Sequence, residues 1–170
     1  AGDIVEEGAQ RQAVGLSDRW SGMTVAYFTA LVTLFSAVLG GITDRVGVRR
    51  TITISILAAL VGRALLTLAP QLPAPSVMTW IALTIMAFSC GTLIPACYAG
   101  VKQHTTSETS AVGFSMLYAL MNGGIVLVSI ASSPVRASFG PTGVFWMCTG
   151  ITVLYLLVHL LGFPRSEGGP

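Results

Sequence analysis

The chain has 170 residues, of which 53% are hydrophobic and only 9% charged, with a formal net charge of +2. A soluble domain carries about a quarter charged residues, so a soluble enzyme or binding module is excluded and an integral membrane protein is indicated. Nucleic-acid binding is excluded too, because the basic residues sit at the ends of apolar runs and form no stripe.

The opening segment AGDIVEEGAQRQ is acidic where a secretory signal would begin basic and then turn apolar, so residues 1–21 read as an extracytoplasmic loop. No Asp, Glu, Lys or Arg occurs between Arg19 and Asp44, Arg63 and Lys102, Glu108 and Arg136, or Arg136 and Arg165. About 20 mostly apolar residues cross the hydrocarbon core as a helix, and the second of these stretches is long enough to span and turn. Hydropathy and breakers predict a five-helix transmembrane bundle over residues 22–163. Its helices are expected at about 22–43, 51–69 (stopped by PQLPAP at 70–75), 77–100, 111–133 (ended by Pro134) and 143–162 (with Pro164 beyond).

Five crossings put the termini on opposite sides. Arg45, Arg49, Arg50, Lys102 and Arg165 fall on one side, against Arg11, Arg19 and Arg136 on the other. The positive-inside rule therefore predicts the N-terminus outside and the C-terminus inside. Trp20, Trp80 and Trp146 fall near the outer ends of the predicted spans, where interfacial aromatics belong.

Between the first two spans lies GGITDRVGVRR, residues 40–50. Gly40, Ile42, Asp44, Arg45, Gly47, Arg49 and Arg50 follow the pattern G-x-L-x-D-R-x-G-x-R-R. This resembles the motif between the second and third helices of the major facilitator superfamily, with Val48 at a place that is often basic. The resemblance implies a cytoplasmic gating loop that clamps an N-terminal bundle to a C-terminal one. Asp44 would be the anion of the clamp, Arg45, Arg49 and Arg50 its partners and lipid-headgroup contacts, and Gly40 and Gly47 the residues that allow close approach and a short turn. It also renumbers the spans as helices two to six of a major-facilitator N-terminal half. The family's first helix and C-terminal bundle are then missing partners of the same transporter, and residues 164–170 begin the central cytoplasmic linker.

Weaker similarities follow along the chain. Ala87, Gly91 and Pro95 give the fourth family helix a small-residue spacing suited to close packing, although the arginine often found early in that helix is missing. YALMNGG, with Tyr118, Met121, Asn122 and Gly124, resembles an element of the proton-coupled oligopeptide transporter branch, as does GRALLTLA at 62–69. That branch usually has one more residue between the Asp and Gly of the loop, and its acidic coupling motif lies on a helix this chain does not include.

No catalytic constellation is visible, so an enzyme is not expected. His104 and His159 have no carboxylate or nucleophile spaced to serve them and read as solvated and interfacial residues. Cys90, Cys97 and Cys148 lie inside apolar runs without metal-site spacing, so no metal and no cofactor is expected. Arg63 is the one formally charged residue inside a span, about six residues, roughly 9 Å, below its end. It either snorkels or pairs with an acidic residue of another helix, or it binds an anionic substrate group. Asn122 either makes an interhelical hydrogen bond or contacts substrate, with Tyr118 one turn away on the same face. Thr29, Thr33, Ser36 and Gly40 share a face of the first span as a packing seam or the wall of an aqueous path.

The function expected is secondary transport of a small-molecule substrate by alternating access, ion or proton coupled, across a plasma or cell inner membrane. The alternative is a truncated, non-transporting membrane scaffold or partner-binding bundle.

Overall fold

In a computed structural model of the chain the described residues are 18–162, and within them the side chains of residues 18–21, 42 and 44 are not described. Residues 1–17 of the expected extracytoplasmic loop and all of the linker segment lie outside the described residues. The described residues are all-α: α1 (Asp18–Leu39), α2 (Ile42–Val46), α3 (Val48–Leu68), a 3-10 turn (Ala69–Gln71), α4 (Pro75–His104) and α5 (Ser110–Gly162). As a fold class this is the helical membrane bundle expected from composition, since α1, α3, α4 and α5 are each long and apolar enough to cross a bilayer.

The longest element needs a closer reading. At 53 residues, α5 would extend about 80 Å as one rod, far more than a hydrocarbon core of roughly 30 Å. It is not one rod. Near its start Gly113 lies against Val101 and Thr105 at the end of α4. Ser132 and Arg136 then share a cleft with Leu66 of α3 and Pro70 of the 3-10 turn that follows it, and Thr142 and Phe145 line the same cleft. Farther on, His159 reaches Thr53 in the first turns of α3. The chain therefore runs the length of the bundle and returns. The reversal is at Gly140, whose φ of 68° and ψ of −172° are non-helical and suit only glycine, followed by Pro141.

The helix before it continues through Pro134, where the sequence predicts a stop. A proline removes one backbone donor and disfavours helix in the residue before it, yet a helix in lipid has no water to bond with if it unwinds. Pro95 is carried inside α4 in the same way.

α4 is the central element, packed most extensively on α3 and next on α1, while α5 closes against α3. The returning half of α5 makes that closure, because its buried residues are Thr149, Thr152 and His159, and Leu156 packs on the Ile52, Ile56 and Ala96 cluster. The interior is small and hydroxylated: Ala82, Ala87 and Ala96 are fully covered, and so is Ser55, with Ser89 nearly so. Large apolar side chains point the other way, with Leu120 at 72%, Leu127 at 70% and Leu161 at 84% exposure. That inversion is expected where lipid removes the drive to bury leucine and close backbone approach holds helices together.

Two features build the seam. Gly91 of α4 faces α1 so closely that a Cβ there would sit 2.5 Å from the Phe35 Cβ and 3.0 Å from the Val32 carbonyl oxygen. Between α3 and α4, the Ser89 hydroxyl donates to the Ser55 carbonyl at 2.7 Å, and the Ser55 and Thr92 hydroxyls meet at 2.7 Å. Most other buried hydroxyls are bonded within their own helix: Thr51, Thr67, Thr79, Thr149 and Thr152 each donate to the carbonyl four residues earlier.

Candidate functional site

The connection between α1 and α3 is built from two breaks and five helical residues. α1 ends at Leu39, with the Gly40 amide donating to the Ser36 carbonyl at 3.0 Å and the Gly40 Cα facing Pro95 of α4. Gly41 has ordinary αR dihedrals and α2 follows over Ile42–Val46. Gly47 then takes φ 91° and ψ 145°, a region that L side chains avoid, and α3 begins at the next residue. Its amide donates to the Thr43 carbonyl at 2.9 Å, while its own carbonyl accepts from the Thr51 amide at 3.1 Å and the Thr51 hydroxyl at 3.0 Å. One glycine thus ends one helix and starts the next.

The turn presents its cations unevenly. Arg45 and Arg50 are exposed and Arg49 is half-buried. The side chain of Asp44, the expected anion, is not among those described. Among the described residues no ion pair engages Arg45, Arg49 or Arg50, and the Thr43 hydroxyl, on a residue 2% exposed, has no hydrogen-bond partner.

A contact that sequence reasoning missed ties this turn to the far end of the chain. The Arg49 carbonyl accepts from the Thr53 hydroxyl at 2.9 Å, and Thr53 Oγ1 meets His159 Nε2 at 3.0 Å. His159, expected at the interface, is 3% exposed and lies covered against α3. His104, by contrast, is exposed and donates from Nδ1 to the Gly100 carbonyl at 2.9 Å at the C-terminus of α4.

The expected substrate residues do not form one cluster. Arg63 is half-buried on α3, and its Nε is buried without a partner among the described residues. Tyr118 and Asn122 lie exposed on the outgoing half of α5, and the Asn122 amide donates to the Tyr118 carbonyl of its own helix at 2.8 Å. Asn122 thus makes no interhelical bond among the described residues, and no bond joins it to Arg63. The polar stripe of α1 divides. Ser36 and Gly40 face α4, whereas Thr29 and Thr33 are exposed, the Thr33 hydroxyl donating to the Thr29 carbonyl at 2.9 Å. Toward the other end of α1, Tyr27 bonds Thr84 at 2.9 Å and meets Trp80 edge to face at 4.9 Å.

Among the described residues no group of three His, Cys, Asp or Glu side chains is placed to hold a metal ion. Cys90, Cys97 and Cys148 are half-buried free thiols. The described residues form helices, a tight basic turn and hydroxylated seams.

The family model of the Major Facilitator Superfamily matches residues 7–170, nearly the whole sequence, and its members are membrane transporters. No curated protein and no solved structure matches the chain. The turn at residues 40–50, the all-helical apolar bundle and a family match across its length together place the chain in the Major Facilitator Superfamily.

Proposed function

We propose that this chain forms helices two to six of the N-terminal half of a secondary active transporter. It would move a small solute by alternating access and draw on an ion gradient, most simply of protons. The observation that carries the reading is the turn at residues 40–50, where Gly47 joins two helices in one residue and holds Arg45, Arg49 and Arg50 at the bundle's end. Asp44 acts as the anion of the gate and the arginines as its partners, facing the cytoplasm as the positive-inside rule requires. The complete carrier adds a first helix and a C-terminal bundle, and binds substrate between the bundles near the bilayer midplane. Asn122 and Tyr118 contribute to that site from their exposed face, and Arg63, whose Nε has no partner among the described residues, offers its cation to an anionic group, as a peptide carboxylate would present in the oligopeptide branch. The membrane is the plasma membrane or a cell inner membrane.

The test is Asp44→Asn in the full-length carrier, in a background where Cys90, Cys97 and Cys148 are replaced. Labelling of Asn122→Cys by an impermeant maleimide from the cytoplasmic side should speed up several-fold when the gate anion is lost. An unchanged rate removes Asp44 from gating, and a carrier that shows no uptake of peptides, sugars or drugs under a proton gradient removes the transport reading.

A further inference from the structure

At the end of the bundle away from the basic turn, α3 and the two halves of α5 leave a cleft of about 380 Å³. Its walls are apolar, with Leu66, Ala69, Pro70, Val144 and Phe145 among them. Polar groups are few, and two of them are already engaged: the Thr67 hydroxyl donates to the Arg63 carbonyl at 2.8 Å, and the Ser132 hydroxyl to the Val128 carbonyl at 2.6 Å. Arg136 and Thr142, both exposed at the rim, are the remaining polar side chains that line it.

The occupant this describes has two parts. One is an apolar stretch, since a cleft in the small-ligand size range with these walls favours hydrocarbon over water. The other is an anion with several acceptor oxygens, since both remaining groups are donors and a guanidinium pairs best with phosphate or carboxylate in a forked geometry. Trp146, 54% exposed, follows Phe145 at the same end, the level at which aromatic side chains meet headgroups. We infer that the cleft is a phospholipid site, in which Arg136 and Thr142 hold the phosphate of an anionic lipid and the first part of one acyl chain lies between α3 and the α5 hairpin. The inference needs only that the bundle sits in a bilayer, so it stands or falls separately from the gating role of Asp44.

The experiment is native mass spectrometry of the full-length protein titrated with phosphatidylglycerol or phosphatidylcholine. Wild type should hold phosphatidylglycerol about tenfold more tightly than Arg136→Gln, as expected for one charge-assisted contact, with Arg136→Lys between them. A second measurement needs no change of charge: Thr142→Cys, in a background without native cysteines, should label several-fold more slowly in phosphatidylglycerol nanodiscs than in phosphatidylcholine ones. Equal retention by wild type and Arg136→Gln, or equal labelling in both lipids, overturns the site and means that the cleft is empty or covered by another helix. Displacement of the lipid by inorganic phosphate alone would overturn the acyl-chain part and leave a free-anion site.

Discussion

Replacing Gly47 with alanine separates the backbone requirement of the basic turn from its packing. No heavy atom lies within 4 Å of where the new Cβ would stand, so the substitution meets no steric neighbour. Its cost is therefore conformational. At φ 91° and ψ 145° an alanine loses about 1–3 kcal/mol relative to glycine. Relief of that strain would require the peptide to rotate, which breaks the 2.9 Å bond to the Thr43 carbonyl and disturbs both bonds that Thr51 makes to the Gly47 carbonyl. Gly41 is the matched control, because it also has open space around it but sits at φ −74° and ψ −10°, where alanine is at ease. For a chain of this size, about 2–4 °C in midpoint accompanies each kcal/mol, so Gly47→Ala should melt about 2–12 °C below wild type while Gly41→Ala matches or exceeds it. Thermal unfolding in detergent, followed by tryptophan fluorescence, measures both. Equal midpoints for the two variants would refute the claim that this glycine is required by its dihedral angles.

Gly91→Ala should lower stability by about 1–3 kcal/mol, because its Cβ meets α1 backbone atoms that cannot swing aside. Gly123→Ala, in open space on α5, should leave the melting midpoint unchanged or raise it; similar losses for both would sink the close-approach argument. Ser89→Ala removes the hydroxyl that donates across to α3 and should cost about 0.6–1.7 kcal/mol. Thr33→Val removes only a bond within an exposed stretch of α1 and should cost less than about 0.5 kcal/mol, and chemical denaturation in mixed micelles reads the difference. Asn122→Ala should leave the unfolding free energy within about 0.5 kcal/mol of wild type, since its amide bonds its own helix, so that any loss of uptake by this variant reports on substrate and not on folding.

Hydropathy made the all-helical membrane architecture legible, because bilayer thickness dictates element length and the uncharged runs are long enough to meet it. The turn at 40–50 was legible from its residues, since a glycine between two helices and before a pair of arginines has few structural meanings. Local signals were weaker guides to where helices end. Pro134 reads as a breaker by rules made for water, yet the reversal falls at Gly140, because in lipid a helix keeps its bonds through proline and gives them up at a residue that can take positive φ. The contact between Thr53 and His159, 106 positions apart, had no trace in periodicity or charge, and only the return of α5 along α3 creates it. Asn122 lay in the expected helix, but its choice of the Tyr118 carbonyl over a neighbouring helix depends on which faces the bundle leaves uncovered.

The hydroxyls that donate to their own helix bear on the order in which the protein is made. Thr51, Thr67, Thr79, Thr149 and Thr152 have their protons satisfied before any neighbour arrives. Each span can therefore leave the translocation machinery and enter lipid singly, without waiting for a partner to quench its polar side chains. Association then needs only shape, at Gly91 and Gly62, and a few cross-helix bonds such as the one from Ser89. Biogenesis separates into insertion, governed by each helix alone, and assembly, governed by a handful of small residues, so changes at those residues should yield chains that are inserted but unassembled.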